Sequence, residues 1–396
     1  MTSSTGRRDA LALGASVFLA SPGLAIVAPL VGAIRDEYRV GNFEAGLVVA
    51  IFGVARLVAD LPAGRLADRY PKRAMTVVGF SFLVVGALVS AWAPSLTSML
   101  AGRALNGFGS AVVMTTAITW AGMIAPPGGQ ARLIGMIEAT WMTSATLSPL
   151  IGGLVAAAWG WRATFVYCAI AALVSAALVL VLARGTREGA GAVKGGTPAP
   201  ARFLASPPVL AAYAAGFTLF FNRNGVRNTV LPLFAASVIG LDPAGIGLVV
   251  AVVAGVTVLA TVTGGHLADR WGRRPVLLAG FVLLVLGNLA LAASASQATL
   301  LVAAVVLGLG GLNSSVPAAV IAGSVPAAQL GGAVGGYRFL QDAGFVSGPL
   351  VLGLVLDWAG YQTGLLVASG AVLAGLVLVA HLLRRAGPEP SPQPAA

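Results

Sequence analysis

The chain has 396 residues, 58% of them hydrophobic and only 9% charged, where a soluble domain carries roughly 25% charged residues. Its mean hydropathy is +0.91, so water is not its main solvent. The net charge of +11, from 24 Lys plus Arg against 13 Asp plus Glu, would suggest nucleic acid in a soluble protein. Here most basic residues fall in short loops between apolar stretches, where they set membrane orientation, and no nucleic-acid partner is expected.

In chain order, the first apolar stretch follows Arg7 and Arg8 as a signal peptide's would. It runs from about Ala10 to Ile34, too long for such a segment, and is read as the first span. Punctuation by Gly, Pro and charge predicts helical spans over 10–34, 44–67, 74–92, 96–122, 131–157 and 162–183, then over 208–234, 245–267, 275–293, 299–323, 330–356 and 362–383. Such lengths cross a hydrocarbon core of roughly 30 Å as helices, and the alternation of barrel strands is absent. The expected fold class is an all-α polytopic membrane protein, with twelve transmembrane helices in two six-helix bundles, 1–183 and 208–385. Between them, 184–207 reads as a flexible cytoplasmic linker, and 386–396 as a Pro-rich disordered tail.

Placing both termini in the cytoplasm puts Arg7, Arg8, Arg69, Lys72, Arg73, Arg270, Arg273, Arg274, Arg384 and Arg385 inside, and leaves chiefly Arg35, Arg39 and Arg162 outside. That asymmetry fits a multi-pass protein of a bacterial cytoplasmic membrane. Cys168 is the only cysteine, so no internal disulfide forms, and it reads as a small core residue. His266 and His381 lack clustered thiol or carboxylate partners, so neither a metal site nor a cofactor is expected.

An internal repeat is visible by eye. Gly64-Arg-Leu-Ala-Asp-Arg69 recurs 201 residues later as Gly265-His-Leu-Ala-Asp-Arg270, and Ser148-Pro-Leu-Ile-Gly-Gly-Leu-Val155 recurs after 200 as Gly348-Pro-Leu-Val-Leu-Gly-Leu-Val355. The shared loops fall on one side, so the repeat is parallel, the arrangement by which transporters alternate access around a central site.

These loops resemble the signature of the major facilitator superfamily, and the copy Gly265–Arg274 matches it better, because Tyr70-Pro71 replaces the family's usual X-Gly. Arg103-Ala-Leu-Asn-Gly-Phe-Gly109 is similar to the family's span-4 motif, with Asn106 for the usual Gln. Ser144…Ser148-Pro149…Gly152-Gly153 resembles the span-5 motif of proton-coupled exporters, with two glycines become serine, and Gly160-Trp-Arg-Ala-Thr-Phe165 is similar to the start of span 6 in drug exporters. The resemblance implies the twelve-span drug/proton antiporter group.

The loop motif also has a physical reading. Gly64 allows close helix approach, while Asp68, and Asp269 in the copy, sit at a helix end where an acid can pair with a loop arginine or cap a neighbouring helix. Gly64, Asp68, Arg69, Arg73, Gly265, Asp269, Arg270 and Arg274 are thus candidate gating residues, unless the basic ones only anchor topology. Ionisable groups inside spans cost about 2.5–3.5 kcal/mol each on insertion scales unless paired or hydrated. Arg56 and Asp60 share a helix face, as do Arg338 and Asp342. In the fold that the resemblance implies, spans 2 and 11 face one another, and the expectation is a ladder of Asp60–Arg338 and Arg56–Asp342. Pairing within each helix is the alternative.

Glu138 has no basic partner in its own span. Desolvation raises the pKa of such a carboxyl, which suits a proton carrier. Glu138 leads, with Asp60 and Asp342 behind it, and a structural role beside backbone or Arg56 is the alternative. Span 7 holds the polar run Asn222-Arg-Asn-Gly-Val-Arg-Asn228. In the implied fold spans 1, 4, 7 and 10 line the central cavity, so the substrate candidates are Arg103, Asn106, Asn222, Arg223, Arg227, Asn228, Asn313 and Ser314. Several arginines with no span-1 acid favour an anionic or hydrogen-bonding substrate. Alternatively, Arg227 and Arg223 anchor the helix at the outer headgroups.

The expected function is secondary active transport of a small molecule by alternating access, driven by protons and most readily as efflux, with the protein acting as a monomer in the bilayer. No Gly-x-x-x-x-Gly-Lys-Ser/Thr loop is present, so ATP is not the driver. Uptake by proton symport and movement of a lysolipid stay open, because one scaffold serves all of these. A membrane enzyme would need a catalytic constellation that the histidines do not offer; a non-transporting sensor would keep the fold.

Overall fold

The computed structural model describes residues 4–20, 25–124, 130–182, 206–326 and 330–386, and among them every regular element is helical. The linker expected over 184–207 and the tail over 386–396 fall almost entirely outside the described residues. The helices are α1 (Ser4–Ala20), α2 (Val31–Tyr38), α3 (Asn42–Arg69), α4 (Lys72–Ala91), α5 (Leu96–Ile124), α6 (Gln130–Trp159), α7 (Trp161–Leu182), α8 (Pro207–Asn222), α9 (Pro243–Trp271), α10 (Arg273–Ala292), α11 (Gln297–Leu309) and α12 (Val316–Ser324). A continuous helical stretch, Leu330–Arg385, breaks at Gly360 (φ 76°, ψ 177°) into α13 (330–359) and α14 (361–385). Span 1 is thus α1 followed by the first turn of α2, span 7 is α8 with the helical turns that continue it to Ile239, span 10 is α11 with α12, and the other expected spans each match one helix. Among the described residues, eight stretches are long and apolar enough by themselves to cross a membrane, the last holding two spans. Side chains such as Trp358 (82% exposed) and Val181 (78%) stand outward, as expected where the solvent is lipid rather than water.

The chain divides into two compact units. The first comprises Met1–Val40, Leu47–Val193 and Asp242–Leu248, the second Gly41–Gly46, Lys194–Leu241 and Val249–Ala396. Each therefore takes the first turn of the second span of the other repeat.

In the first unit the core is Phe80, Leu83, Val113, Trp120, Ile137 and Val179 with their neighbours. Polar pins set the helix contacts: Ser144 Oγ on α6 donates to Phe18 O on α1 at 2.6 Å, and Ser175 Oγ on α7 donates to Ser16 O at 3.1 Å. Beyond the end of the expected first span, the Glu37 carboxylate accepts from Trp161 Nε1 and Arg162, and Tyr38 Oη donates to Ala93 O. The hydrogen bond from Arg162, followed by that from Trp161, outweighs burial and holds the Glu37 carboxyl below the ordinary glutamate range.

In the second unit α8 does not stay α-helical. After Asn222 it winds as a π-helix over Arg223–Val230, returns to α over Leu231–Phe234, and is again π over Ala235–Ile239, stopping at Gly240 (φ 79°). This stretch lies against α13, where bare glycines allow the contact: a Cβ on Gly348 would sit 2.4 Å from Phe221 O, and one on Gly225 2.9 Å from the Gly348 carbonyl carbon. At the far end of α13, Asp357 caps the start of α3. Its Oδ1 accepts from the Asn42 backbone N (2.8 Å) and Nδ2 (2.9 Å), its Oδ2 from Phe43 N (2.8 Å). A carboxylate over exposed N–H groups at a helix start satisfies both hydrogen bonding and the helix dipole.

Candidate functional site

The loop motif is best seen in its second copy. Gly272, the N-cap of α10, has φ 91°, a conformation open in practice only to glycine. In the first copy Pro71 caps α4 with φ −54° and ψ 128°, so Tyr70-Pro71 replaces a left-handed turn by an extended one. The close approach assigned to the leading glycine shifts by one residue. In the second copy, Gly264 is the crowded position, its Cβ site 2.0 Å from Leu312 O, whereas the nearest atom to a Cβ on Gly265 is 3.8 Å away. Arg73 donates to Leu180 O near the end of α7, a cation at a helix C-terminus. Asp269 and Arg270 are exposed, Arg274 half-buried, and Asp269 pairs with no described residue. The side chains of Gly64, Asp68, Arg69 and Glu138 lie outside the described residues.

Arg56 turns toward Trp141, its guanidinium carbon 6.0 Å from the ring centroid, and forms no ion pair with a described residue. Its in-helix pairing with Asp60 is therefore not made. Asp60, Arg338 and Asp342 each engage a partner.

Two polar clusters remain, one in each unit. In the first, Arg103 has no exposed surface. Its Nε donates to Val48 O at 3.2 Å, its guanidinium lies 5.0 Å from the Phe52 ring centroid, and its Nη2 is sealed without a hydrogen-bond acceptor. Asn106, 2% exposed, donates to Gly102 O at 2.8 Å. Both candidates are thus packed into the bundle rather than presented on a surface.

In the second unit the polar run makes two hydrogen-bonded sets. Asn222 Oδ1 accepts from Asn288 Nδ2 on α10 at 2.8 Å, and Asn228 Nδ2 donates to Asn224 Oδ1 at 2.8 Å. Arg227 Nε donates to Asn228 Oδ1 at 3.2 Å. Thr229 Oγ1 reaches Asn224 O, five residues back, at 3.0 Å, the spacing of a π turn. Arg223 lies with its guanidinium carbon 5.7 Å from the Phe220 ring. Asn313, also fully buried, packs against Gly280 with both polar atoms unpaired, and Ser314 is half-buried beside it. Asn224 and Asn288 were missed by sequence reasoning. Asn224 lay inside the quoted run, and Asn288 was an isolated amide in an apolar span, a signal that periodicity alone passes over.

Comparison with known proteins agrees with this architecture. The family model described as Major Facilitator Superfamily matches residues 13–226 and 212–396. The chain is 27% identical over 406 residues to the multidrug resistance protein Stp of Mycobacterium tuberculosis (strain CDC 1551 / Oshkosh), covering 87% of this chain and 75% of that one. It is 26% identical to the hexuronate transporter of Bacillus subtilis (strain 168), covering 91% and 90%. Among solved structures, a bacterial homologue of the human lysosomal transporter Spinster, in an inward-facing and occupied conformation, superposes with a TM-score of 0.81 at 16% identity over 95% of this chain and 96% of that one. With its helical repeats and intramembrane polar clusters, this chain is a membrane transporter, not an enzyme, and belongs to the Major Facilitator Superfamily.

Proposed function

We propose that the protein exports a small organic molecule across the cytoplasmic membrane in exchange for protons, by alternating access of two bundles, 1–183 and 208–385, with both termini in the cytoplasm. The observation that carries the direction is the likeness over 87% of the chain to a protein named for multidrug resistance. Support comes from the exporter-like motif on α6, the helix that also bears Glu138. Glu138 is the proposed proton carrier, with Asp60 and Asp342 as further candidates, and the gating role belongs to the loop residues and to Arg56, Asp60, Arg338 and Asp342. The protein is proposed to act as a monomer.

Everted membrane vesicles containing a pH-sensitive dye test this reading. Addition of a transported compound should release protons from the lumen, and Glu138→Gln should abolish that release. Unchanged release in Glu138→Gln removes it as the carrier. A second reading is uptake by proton symport, favoured by the likeness to a hexuronate transporter over 91% of the chain. Right-side-out vesicles accumulating solute with an imposed inward proton gradient would select it.

A further inference from the structure

The π-wound part of α8 holds a cation that no described residue neutralises. Arg227 is 6% exposed, and no carboxylate among the described residues pairs with it. Its Nε is taken by Asn228 Oδ1, and no described residue accepts from its two terminal nitrogens. Unlike Nη2 of Arg103, those nitrogens are not among the sealed polar atoms, so they reach accessible space. Arg223 lies four residues before it, likewise without an ion pair. An arginine so enclosed and without a counter-charge is costly and marks a functional site, and π segments concentrate at such sites.

We infer that Arg227 is the anchor of an oxyanion subsite, the carboxylate or phosphate of an organic acid taking the Nη1–Nη2 edge in a bidentate pair. The inference rests on the transport reading for its purpose, but not for its chemistry. A guanidinium offers two parallel donors that match an oxyanion's geometry. The ladder Asn224–Asn228 fixes the other edge, so the fork is pre-aimed before the ligand arrives. Arg223, about one turn earlier on the same helix, would supply further donors. A headgroup anchor would instead stand exposed, and Arg227 is buried.

The test uses the full chain purified in detergent, with thermal stability read in benzoate, hexanoate and hexyl phosphate, and in benzamide and hexanamide as uncharged matches. At least one anion should stabilise the wild type where its amide does not. Arg227→Gln should need roughly tenfold or more of that anion for the same shift, the loss of a charge-assisted pair, and Arg227→Lys should restore part of it. Because Arg227→Gln can fail to fold, Asn228→Asp is the second variant. It supplies an internal carboxylate to Arg227 with little change of shape and should abolish the anion effect. Hexyl phosphate against hexanoate tells which oxyanion is preferred. If no anion stabilises folded wild type, or if the effect survives both Arg227→Gln and Asn228→Asp, the subsite is wrong. Proton release in vesicles then separates the readings: anion binding without flux sinks the transport proposal alone, and flux with cations that Arg227→Gln leaves intact sinks the subsite alone.

Discussion

α6 meets α1 at Ser144, whose hydroxyl donates to Phe18 O at 2.6 Å; 200 residues later α13 meets α8 at Gly344, where an added Cβ would lie 2.3 Å from Phe217 O. One turn on, Ser148 faces Gly348 across the repeat in the same way, and the Ser148 hydroxyl folds back on Ala145 O. At Ser144 and Ser148 the first repeat fills the crossing with hydroxyl side chains, and its bare-backbone contact comes only a turn later, at Gly152, where an added Cβ would lie 2.8 Å from Ile26 O. The second removes the side chains and lets backbone touch backbone. The closer crossing belongs to the helix that is π-wound and polar, so the tight clamp sits where the chain is least apolar and most in need of external support.

The largest effect should come from breaking that clamp. Gly348→Val should cost about 3 kcal/mol, since the obstacle is backbone rather than a movable side chain, while Ser144→Ala should cost about 1 kcal/mol for one hydrogen bond. Thermal unfolding in detergent reads both, and equal losses would erase the distinction between the repeats. Next is the turn between the second and third spans of each repeat. Gly272→Ala, forced to φ 91°, should lose about 1–2 kcal/mol, and Pro71→Ala, at an ordinary φ, less than that.

Helix starts sharpen the comparison further. α9 caps itself, with Gly245 N donating to Asp242 Oδ1 at 2.9 Å, while α3 takes its cap from Asp357, distant in sequence; the matching position of the first repeat is Ala157. Asp357→Ala and Asp242→Ala should each cost about 1 kcal/mol, but only Asp357→Ala should also raise proteolytic cleavage around Gly360. The smallest effect is at Glu37. Its folded pKa is depressed, so its contribution is complete above the ordinary glutamate value and fades as pH falls through the lower folded one. Unfolding temperature should be flat from neutral pH to about 5 and then decline, and Glu37→Gln should lessen that decline.

The spans and the repeat were legible in sequence because both are written in hydropathy and spacing, which a bilayer enforces residue by residue. The polar run of span 7 was legible too, since arginine in an apolar context is conspicuous. What could not be read depends on which way a helix faces. Arg103 and Arg227 look equally out of place in sequence, yet one is locked onto Val48 O and Phe52 while the other keeps its fork open. Asp357 fell one residue beyond an expected span and was passed over, though it holds three hydrogen bonds. The π-winding left no mark at all: Gly225 and the surrounding amides permit it, but the glycines of α13 that receive it lie more than a hundred residues away.

That winding has an engineering consequence. A π turn carries one residue more than an α turn, so Arg223–Val230 is a place where α8 holds length in reserve. Removing one residue there would let the ladder close as an ordinary α-helix, with Leu231–Ile239 kept much closer to its present facing than the roughly 100° per residue that a deletion from a regular α-helix imposes. The same deletion in α10 or α14 would have no slack to draw on. This span can therefore be retuned by length as well as by side chain, a freedom through which relatives of one scaffold can come to grip differently shaped cargo.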